Sequence, residues 1–168
     1  SATPMVSTST TGNFTFTNVC GGIKLQLADY AQQGIKIKSL KVKANGGEQI
    51  AGTASVDLST GAVTLNSGTG KDALTVDCGI EGQSIAGTTA APVGFVVFIP
   101  AGTYATGFTF ELTDTQGRVY SVAANTSMTI AQGTVTPLKA LPLTLYYGAN
   151  NCYLAAPAAG TVDVDITP

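Results

Sequence analysis

Residues 35–44 read Ile35-Lys-Ile-Lys-Ser-Leu-Lys-Val-Lys-Ala44. Ile35 and Ile37 alternate with Lys36 and Lys38, and Leu40, Val42 and Ala44 alternate with Lys41 and Lys43. A period of two marks a strand with one wet face and one buried face. The phase slips at Ser39. One extra residue swaps the two faces of a strand, so the slip predicts a β-bulge. A lysine-bearing strand of this kind resembles the charged faces that keep β-proteins from pairing edge to edge.

The same period runs outward in both directions. Phe14 and Phe16 alternate with Thr15 and Thr17, and Ile23, Leu25 and Leu27 alternate with Lys24 and Gln26. Further strands are predicted at 53–58, 62–65 and 73–78, where Cys78 falls in phase with Leu74 and Val76 as an inward thiol. Gly94-Phe-Val-Val-Phe-Ile99 is continuously apolar, as expected of a central strand buried on both faces. Phe108, Phe110 and Leu112 alternate with Thr109, Glu111 and Thr113. Asp114-Thr-Gln-Gly117 then predicts a hairpin turn, with the return strand at 119–123 and a short strand around Met128 and Ile130. Only residues 25–33 could be read as a turn of helix. Many short strands separated by turn signals imply a sandwich or barrel.

The Ser- and Thr-rich residues 1–13 read as a flexible leader, and residues 14–140 as the β-sandwich domain. The composition shifts near Pro137. Beyond it Leu141, Leu143, Leu145 and Tyr147 alternate with polar or mixed residues. At 161–168, Val162, Val164 and Ile166 face one way, while Thr161, Asp163 and Asp165 face the other. Two readings of that last strand compete. It is an ordinary strand within the domain, or a donor strand whose main chain supplies affinity while those three apolar residues fill alternate pockets.

Composition narrows the function classes. The chain has 168 residues, 11% of them charged, with a net charge of −2. That balance gives no electrostatic case for nucleic acid or an anionic membrane. Low charge with 44% hydrophobic residues is not a disorder signature. No apolar run approaches the roughly 20 residues of a membrane helix. The chain starts at Ser1, as expected where an export signal has been removed. There is no His and no Trp. The commonest general base and metal ligand, and the best aromatic platform for a sugar, are therefore missing. Cys20, Cys78 and Cys152 match no zinc spacing; they are three buried thiols, or one disulfide and one free thiol.

Residue patterns that carry chemistry are faint. A glycosidase needs two carboxylates facing one cleft, and no spacing among the ten acidic residues announces such a pair. Asp57 and Asp114 precede turns, where Asp commonly accepts nearby backbone N–H groups. Asp163 and Asp165 share a strand face, but calcium wants 6–8 oxygens and no EF-type loop is present, so a solvated face is the simpler reading. Ser and Thr lack a histidine base, and no Ser-x-x-Lys occurs. Gly68-Thr-Gly-Lys71 has the wrong spacing for a phosphate loop and reads as a hairpin loop. Tyr146, Tyr147 and Tyr153 could form a sugar platform, or could pack with their hydroxyls at the rim. No catalytic, cofactor or metal residue is assigned, and the chain is expected not to be an enzyme.

Several segments, in this order, resemble the fimbrillin-like surface proteins of Bacteroidales. They are Phe14-Thr-Phe-Thr-Asn-Val-Cys-Gly-Gly-Ile-Lys-Leu25, Ile50-Ala-Gly-Thr-Ala-Ser-Val-Asp-Leu-Ser-Thr-Gly61, Phe95-Val-Val-Phe-Ile-Pro100 with Ala-Gly-Thr-Tyr104, Gly107-Phe-Thr-Phe110, Asp114-Thr-Gln-Gly-Arg-Val-Tyr120 and Asn151-Cys-Tyr-Leu154. The resemblance implies an all-β, transthyretin-like Greek-key sandwich. It also implies a structural or adhesive role in a surface fimbria or pilus, with subunits joined by strand donation. The chain departs from the family in having no lipobox cysteine near its start and no full second sandwich after residue 140. Residues 141–168 would then complete the domain, donate a strand, or begin a second domain. The expected partners are other pilus subunits or a second copy, with a host surface ligand as the alternative. The expected location is the outer cell surface, reached at the outer membrane only through a lipid anchor that this chain does not carry. The alternative role is a surface module that binds carbohydrate or a host ligand.

Overall fold

The structure, a computed structural model, describes residues 4–7, 9, 11–29, 34–60, 62–66, 68, 71–88, 90–147 and 152–155, the last two stretches by backbone alone from Leu141 onward. The strands are β1 (Met5–Val6), β2 (Thr17–Asn18), β3 (Cys20–Asp29), β4 (Lys36–Ala44), β5 (Ala54–Val56), β6 (Val63–Leu65), β7 (Ala73–Asp77) and β8 (Gln83–Ser84). They continue as β9 (Val93–Pro100), β10 (Gly102–Tyr104), β11 (Phe108–Asp114), β12 (Val119–Ala124), β13 (Met128–Ile130), β14 (Val135–Pro137), β15 (Leu141–Tyr147) and β16 (Cys152–Ala155). No helix occurs among the described residues. The fold is an all-β sandwich.

One sheet runs β12-β11-β4-β7, with β8 also on β4; the other runs β14-β3-β15-β16, with β9 on the opposite edge of β3. Alternation decides which side chains meet between them. Ile37, Leu40, Val42, Phe108, Phe110, Leu112 and Tyr120 come from the first sheet. Ile23, Leu25, Leu27, Phe95, Val97 and Ile99 come from the second. All belong to one buried cluster. Burying a side chain of this size stabilises the fold by about 1.5–3 kcal/mol relative to leaving it exposed. The Tyr104 and Phe108 rings meet at a tilt of 47° with centroids 4.7 Å apart, and the Tyr104 hydroxyl donates to the Pro100 carbonyl at 2.8 Å.

The bulge predicted from the slip at Ser39 is present. β4 pairs β11 as Thr113 with Ser39 and then Asp114 with Ile37, so Lys38 has no opposite number on β11. The predicted hairpin at Asp114 and the strands near 54–56, 63–65, 73–77 and 128–130 are also present. Cys78 packs against the core beside Leu74 and Val76.

Several expectations need correction. The strand predicted from Phe14 begins only at Thr17, and Phe14 and Phe16 are exposed. A short hairpin of β1 on β2 stands there instead. Residues 25–29 are strand, not helix. β4 is an interior strand between β11 and β7, so its lysines guard no edge. They line an outward face, where Lys41 meets Glu111 at 2.8 Å and Lys43 meets Asp72 at 3.7 Å. Finally, β9 is not buried on both faces: Gly94 and Val96 are exposed. It pairs β3 on one side and, among the described residues, nothing on the other.

Candidate assembly site

The candidate site is the edge of β3 where the C-terminal strands join. Two strands share that edge, both parallel to β3. β14 takes its first half, with Val135 on Gly22 and Pro137 on Lys24. β15 takes its far end, with Leu141 on Leu27 and Leu143 on Asp29. The gap between them is bridged by hydrogen bonds: the Leu138 N–H donates to the Lys24 carbonyl at 2.9 Å, and Gln26 Nε2 donates to the Leu138 carbonyl at 2.6 Å. A half-buried glutamine on β3 thus holds the connection that delivers β15 to its place.

β15 holds β3 by few pairs. Past Leu143 it pairs instead with β16, as Thr144 with Ala155, Leu145 with Leu154, Tyr146 with Tyr153 and Tyr147 with Cys152. The register therefore brings Tyr146 opposite Tyr153, two of the three tyrosines singled out in the sequence. The three candidate donor residues, Val162, Val164 and Ile166, lie outside the described residues, as do Asp163 and Asp165.

The end of β3 is closed by a buried acid. Asp29 is 2% exposed, and its Oδ2 accepts the Ile35 N–H at 3.1 Å. A buried carboxylate is tolerated where hydrogen bonds replace its water.

Asp57, Asp77 and Asp114 are engaged locally. Asp57 accepts the Ser59 N–H and hydroxyl at 2.8 and 2.7 Å, the turn expected of it. The Ser59 hydroxyl and N–H, then the Thr60 groups, hold its carboxyl below the usual value. Asp77 accepts the Gly79 N–H. Asp114 is 1% exposed. It accepts the Gln116 and Arg118 N–H groups, each at 2.9 Å, the Arg118 Nε–H, and the Tyr120 hydroxyl at 2.7 Å. Of this network, sequence reasoning reaches only the turn. A signal for the rest exists: an Asp opening a tight hairpin, with Arg and Tyr on the return side.

Cys20 and Cys78 are free, half-buried thiols, and burial pushes both up from the usual thiol value, with the Asp77 charge adding to the rise at Cys78. Burial also raises Tyr104 to about 12, helped by the nearby Glu48 and Cys20. No group of three His, Cys, Asp or Glu side chains that could hold a metal occurs among the described residues. What this arrangement can do is pair main chain with main chain.

No family model matches the chain, and no curated protein matches it. Among solved structures it is similar to a candidate cell adhesion protein from Bacteroides ovatus, with 13% identity and a TM-score of 0.47. The likeness covers 86% of this chain and 46% of that protein, so the chain spans less than half of its length.

Proposed function

We propose that this chain is a structural or adhesive component of a bacterial surface fimbria, joined to its neighbours by β-strand complementation. The observation that carries the reading is the edge of β3. A sandwich whose edge is completed by a late, parallel strand over only Leu141–Leu143 of β15 has an edge that other chain can occupy. Were β15 to leave residues 27–29 of β3, unpaired backbone groups and apolar surface would be bared, and a strand from another chain would remove both defects at once. The order of segments resembling fimbrillin-like proteins supports the same role. The role needs no catalytic group, and the chain is read as a non-enzyme at the outer cell surface. In this reading Val162, Val164 and Ile166 are the apolar side chains of the donor.

The test is deletion of residues 161–168 from the protein expressed in its surface context. Intact protein is expected to form oligomers that survive SDS and moderate heat, and the deletion is expected to abolish them. Assembly unchanged by the deletion would sink the donor-strand version.

A second reading, a carbohydrate-binding surface module, is favoured by one observation, the Tyr146 and Tyr153 pair in the β15 and β16 register. Stacking on sugar predicts that Tyr153→Ala weakens glycan binding about tenfold, in line with ~1–1.5 kcal/mol per aromatic contact. A glycan array blank at high protein concentration rejects this reading.

A further inference from the structure

On the other side of β3 lies β9, which pairs only β3 among the described residues. Its geometry follows from β3. The Gly22 N–H donates to the Thr134 carbonyl, the Lys24 carbonyl accepts from Leu138, and the Cys20 carbonyl accepts from Gly133. The even-numbered residues of β3 therefore turn their backbone groups away from β9. In an antiparallel pair such residues alternate with those that bond to the partner strand. Gly21, Ile23, Leu25 and Leu27 accordingly bond to Ile99, Val97, Phe95 and Val93, their partners in the β3 and β9 register. What remains on β9 is fixed by that parity. Gly94, Val96 and Phe98 point their N–H and C=O groups to the open edge, and among the described residues none of these groups finds a partner. The Pro100 carbonyl on the same side is taken by the Tyr104 hydroxyl.

Open edges are normally blunted by charge, proline, bulges or brevity. The edges of the facing sheet follow that practice: Arg118 precedes β12, β7 follows Asp72 and ends on Asp77, and β8 is two residues long. β9 has none of these devices within it. No charged residue occurs between Glu81 and Glu111, its one proline is the last residue, and Val96 is 40% exposed.

We propose that β9 pairs with β9 of a second copy of this chain, antiparallel about a two-fold axis through Val96. The sequence is complementary to itself in that register. Val96 meets the partner's Val96, and Gly94, over which the stem of Lys24 lies, meets the partner's Phe98. Each of these pairs has its backbone groups pointing across the edge, and each exchanges two hydrogen bonds. The Phe98 ring already rests over Gly22, where an added Cβ would sit 3.3 Å from it, so it does not obstruct the partner strand. Neutrality matters because an isologous contact brings every residue near its own copy, and like charges would repel. The nearest cation on this face, Lys24, lies opposite Val96 on β3 and runs its stem over Gly94. In this register the two Gly94 positions are four residues along the strand and one strand spacing apart, about 14 Å, beyond the screening length of about 8–10 Å at ordinary salt. The pairing closes on itself, so it makes a dimer and not a fibre, and it is independent of the function proposed above.

Sedimentation velocity on the full chain is the test. The wild type is expected to show a concentration-dependent monomer–dimer equilibrium. Val96→Pro removes only outward groups and leaves the β3 ladder intact, as an edge position allows. It is expected to raise the dimer Kd at least about tenfold with an unchanged β spectrum. A cross-link keeps the test independent of that variant's folding. In a Cys20→Ser, Cys78→Ser, Cys152→Ser background, Val96→Cys should oxidise to a covalent dimer. Cα atoms of a hydrogen-bonded antiparallel pair lie about 5.5 Å apart, within disulfide reach. Thr109→Cys, on the other sheet's outer face, should not. A wild type that stays monomeric at all concentrations, a dimer that survives Val96→Pro, or equal cross-linking at 96 and 109 would overturn the proposal. Deleting residues 161–168 should leave this dimer intact, and Val96→Pro should leave SDS-resistant oligomers intact, so the two ideas fail separately.

Discussion

Asp114→Ala is expected to destabilise the domain by about 3–5 kcal/mol, the range for removing one partner of a buried charged pair. At about 2–4 °C per kcal/mol for a chain of this size, the melting temperature should fall by roughly 10 °C or more. The size of the effect follows from where the carboxylate sits. It is 1% exposed at the end of β11, pointing inward beside Ile37, and it holds the turn, the return strand and the core together. Two backbone N–H groups, the Arg118 guanidinium and the Tyr120 hydroxyl all converge on it. Alanine withdraws the acceptor from all four while the donors stay folded into place. Two companion variants separate the parts. Tyr120→Phe removes one donor and should cost about 1–1.5 kcal/mol. Asp114→Asn keeps an acceptor for the turn but presents an amide to Arg118, and should fall between the two. Thermal melts of the three variants check the ranking; equal melts for wild type and Asp114→Ala would refute it.

The same group sets a pH dependence. Burial is the largest single influence on Asp114 and pushes its carboxyl up. The bonds from Tyr120, Arg118 and Gln116 outweigh it together, and the carboxyl lies below the ordinary 3.8. A folded value below the unfolded one contributes stability that is fully present above the unfolded value and is lost as pH falls through the folded one. Acidification below the ordinary carboxylate range should therefore narrow the stability gap between wild type and Asp114→Asn. A gap that stays constant down to acid unfolding would show that the charge is not what the network stabilises.

The features legible in the sequence are those set by neighbours along the chain. The slip at Ser39 announces the bulge at Lys38, because an inserted residue must shift the phase on both sides of itself. Asp114 and Gly117 announce a hairpin, because one caps the turn and the other takes the positive φ of 80° that the turn requires. Features set by non-local pairing are misread. The run at 94–99 is apolar on both faces, which is the pattern of a central strand, yet Gly94 and Val96 are exposed and β9 pairs only β3 among the described residues. An apolar run cannot say whether both faces are covered or which strand lies alongside. The lysines of β4 resemble an edge guard and fail to be one for the same reason. Phe14 and Phe16 alternate as a strand would, but an alternating tripeptide has no partner of its own, and only Thr17–Asn18 finds one in β1. The parallel joins of β14 and β15 to β3 connect residues more than a hundred positions apart, and no local signal encodes them. The candidate site is legible only as a direction, toward the C-terminal strands; the edge they occupy is not.

Gly107→Ala is expected to cost about 2–5 kcal/mol, the sum of a conformational cost and a steric one. A neighbouring glycine separates the two effects. Gly107 has φ of 72°, and a Cβ there would collide with the Ala124 carbonyl oxygen and lie 2.7 Å from that of Thr126. The left-handed backbone costs an L-residue about 1–2 kcal/mol. The collision is with backbone, so relief requires moving the end of β12 away from the start of β11, an overpacking cost of about 1–3 kcal/mol. Gly117, in the hairpin turn, has φ of 80°, and a Cβ there would meet nothing within 4 Å. Gly117→Ala should therefore show the conformational cost alone, about 1 kcal/mol, and Gly117→Asn should recover most of it, because asparagine tolerates this region. Gly107→Asn should recover nothing, since the obstruction is steric and asparagine is larger. Chemical denaturation of the four variants decides the matter. If Asn rescues both positions equally, the φ requirement is the whole cost and β11 and β12 can part at that end without penalty. If it rescues only position 117, the close approach at Gly107 is what anchors the return strand against the first residues of β11. The Asp114 network and the Gly107 contact then fix the two ends of one hairpin, and that hairpin supplies Phe108, Phe110, Leu112 and Tyr120 to the core.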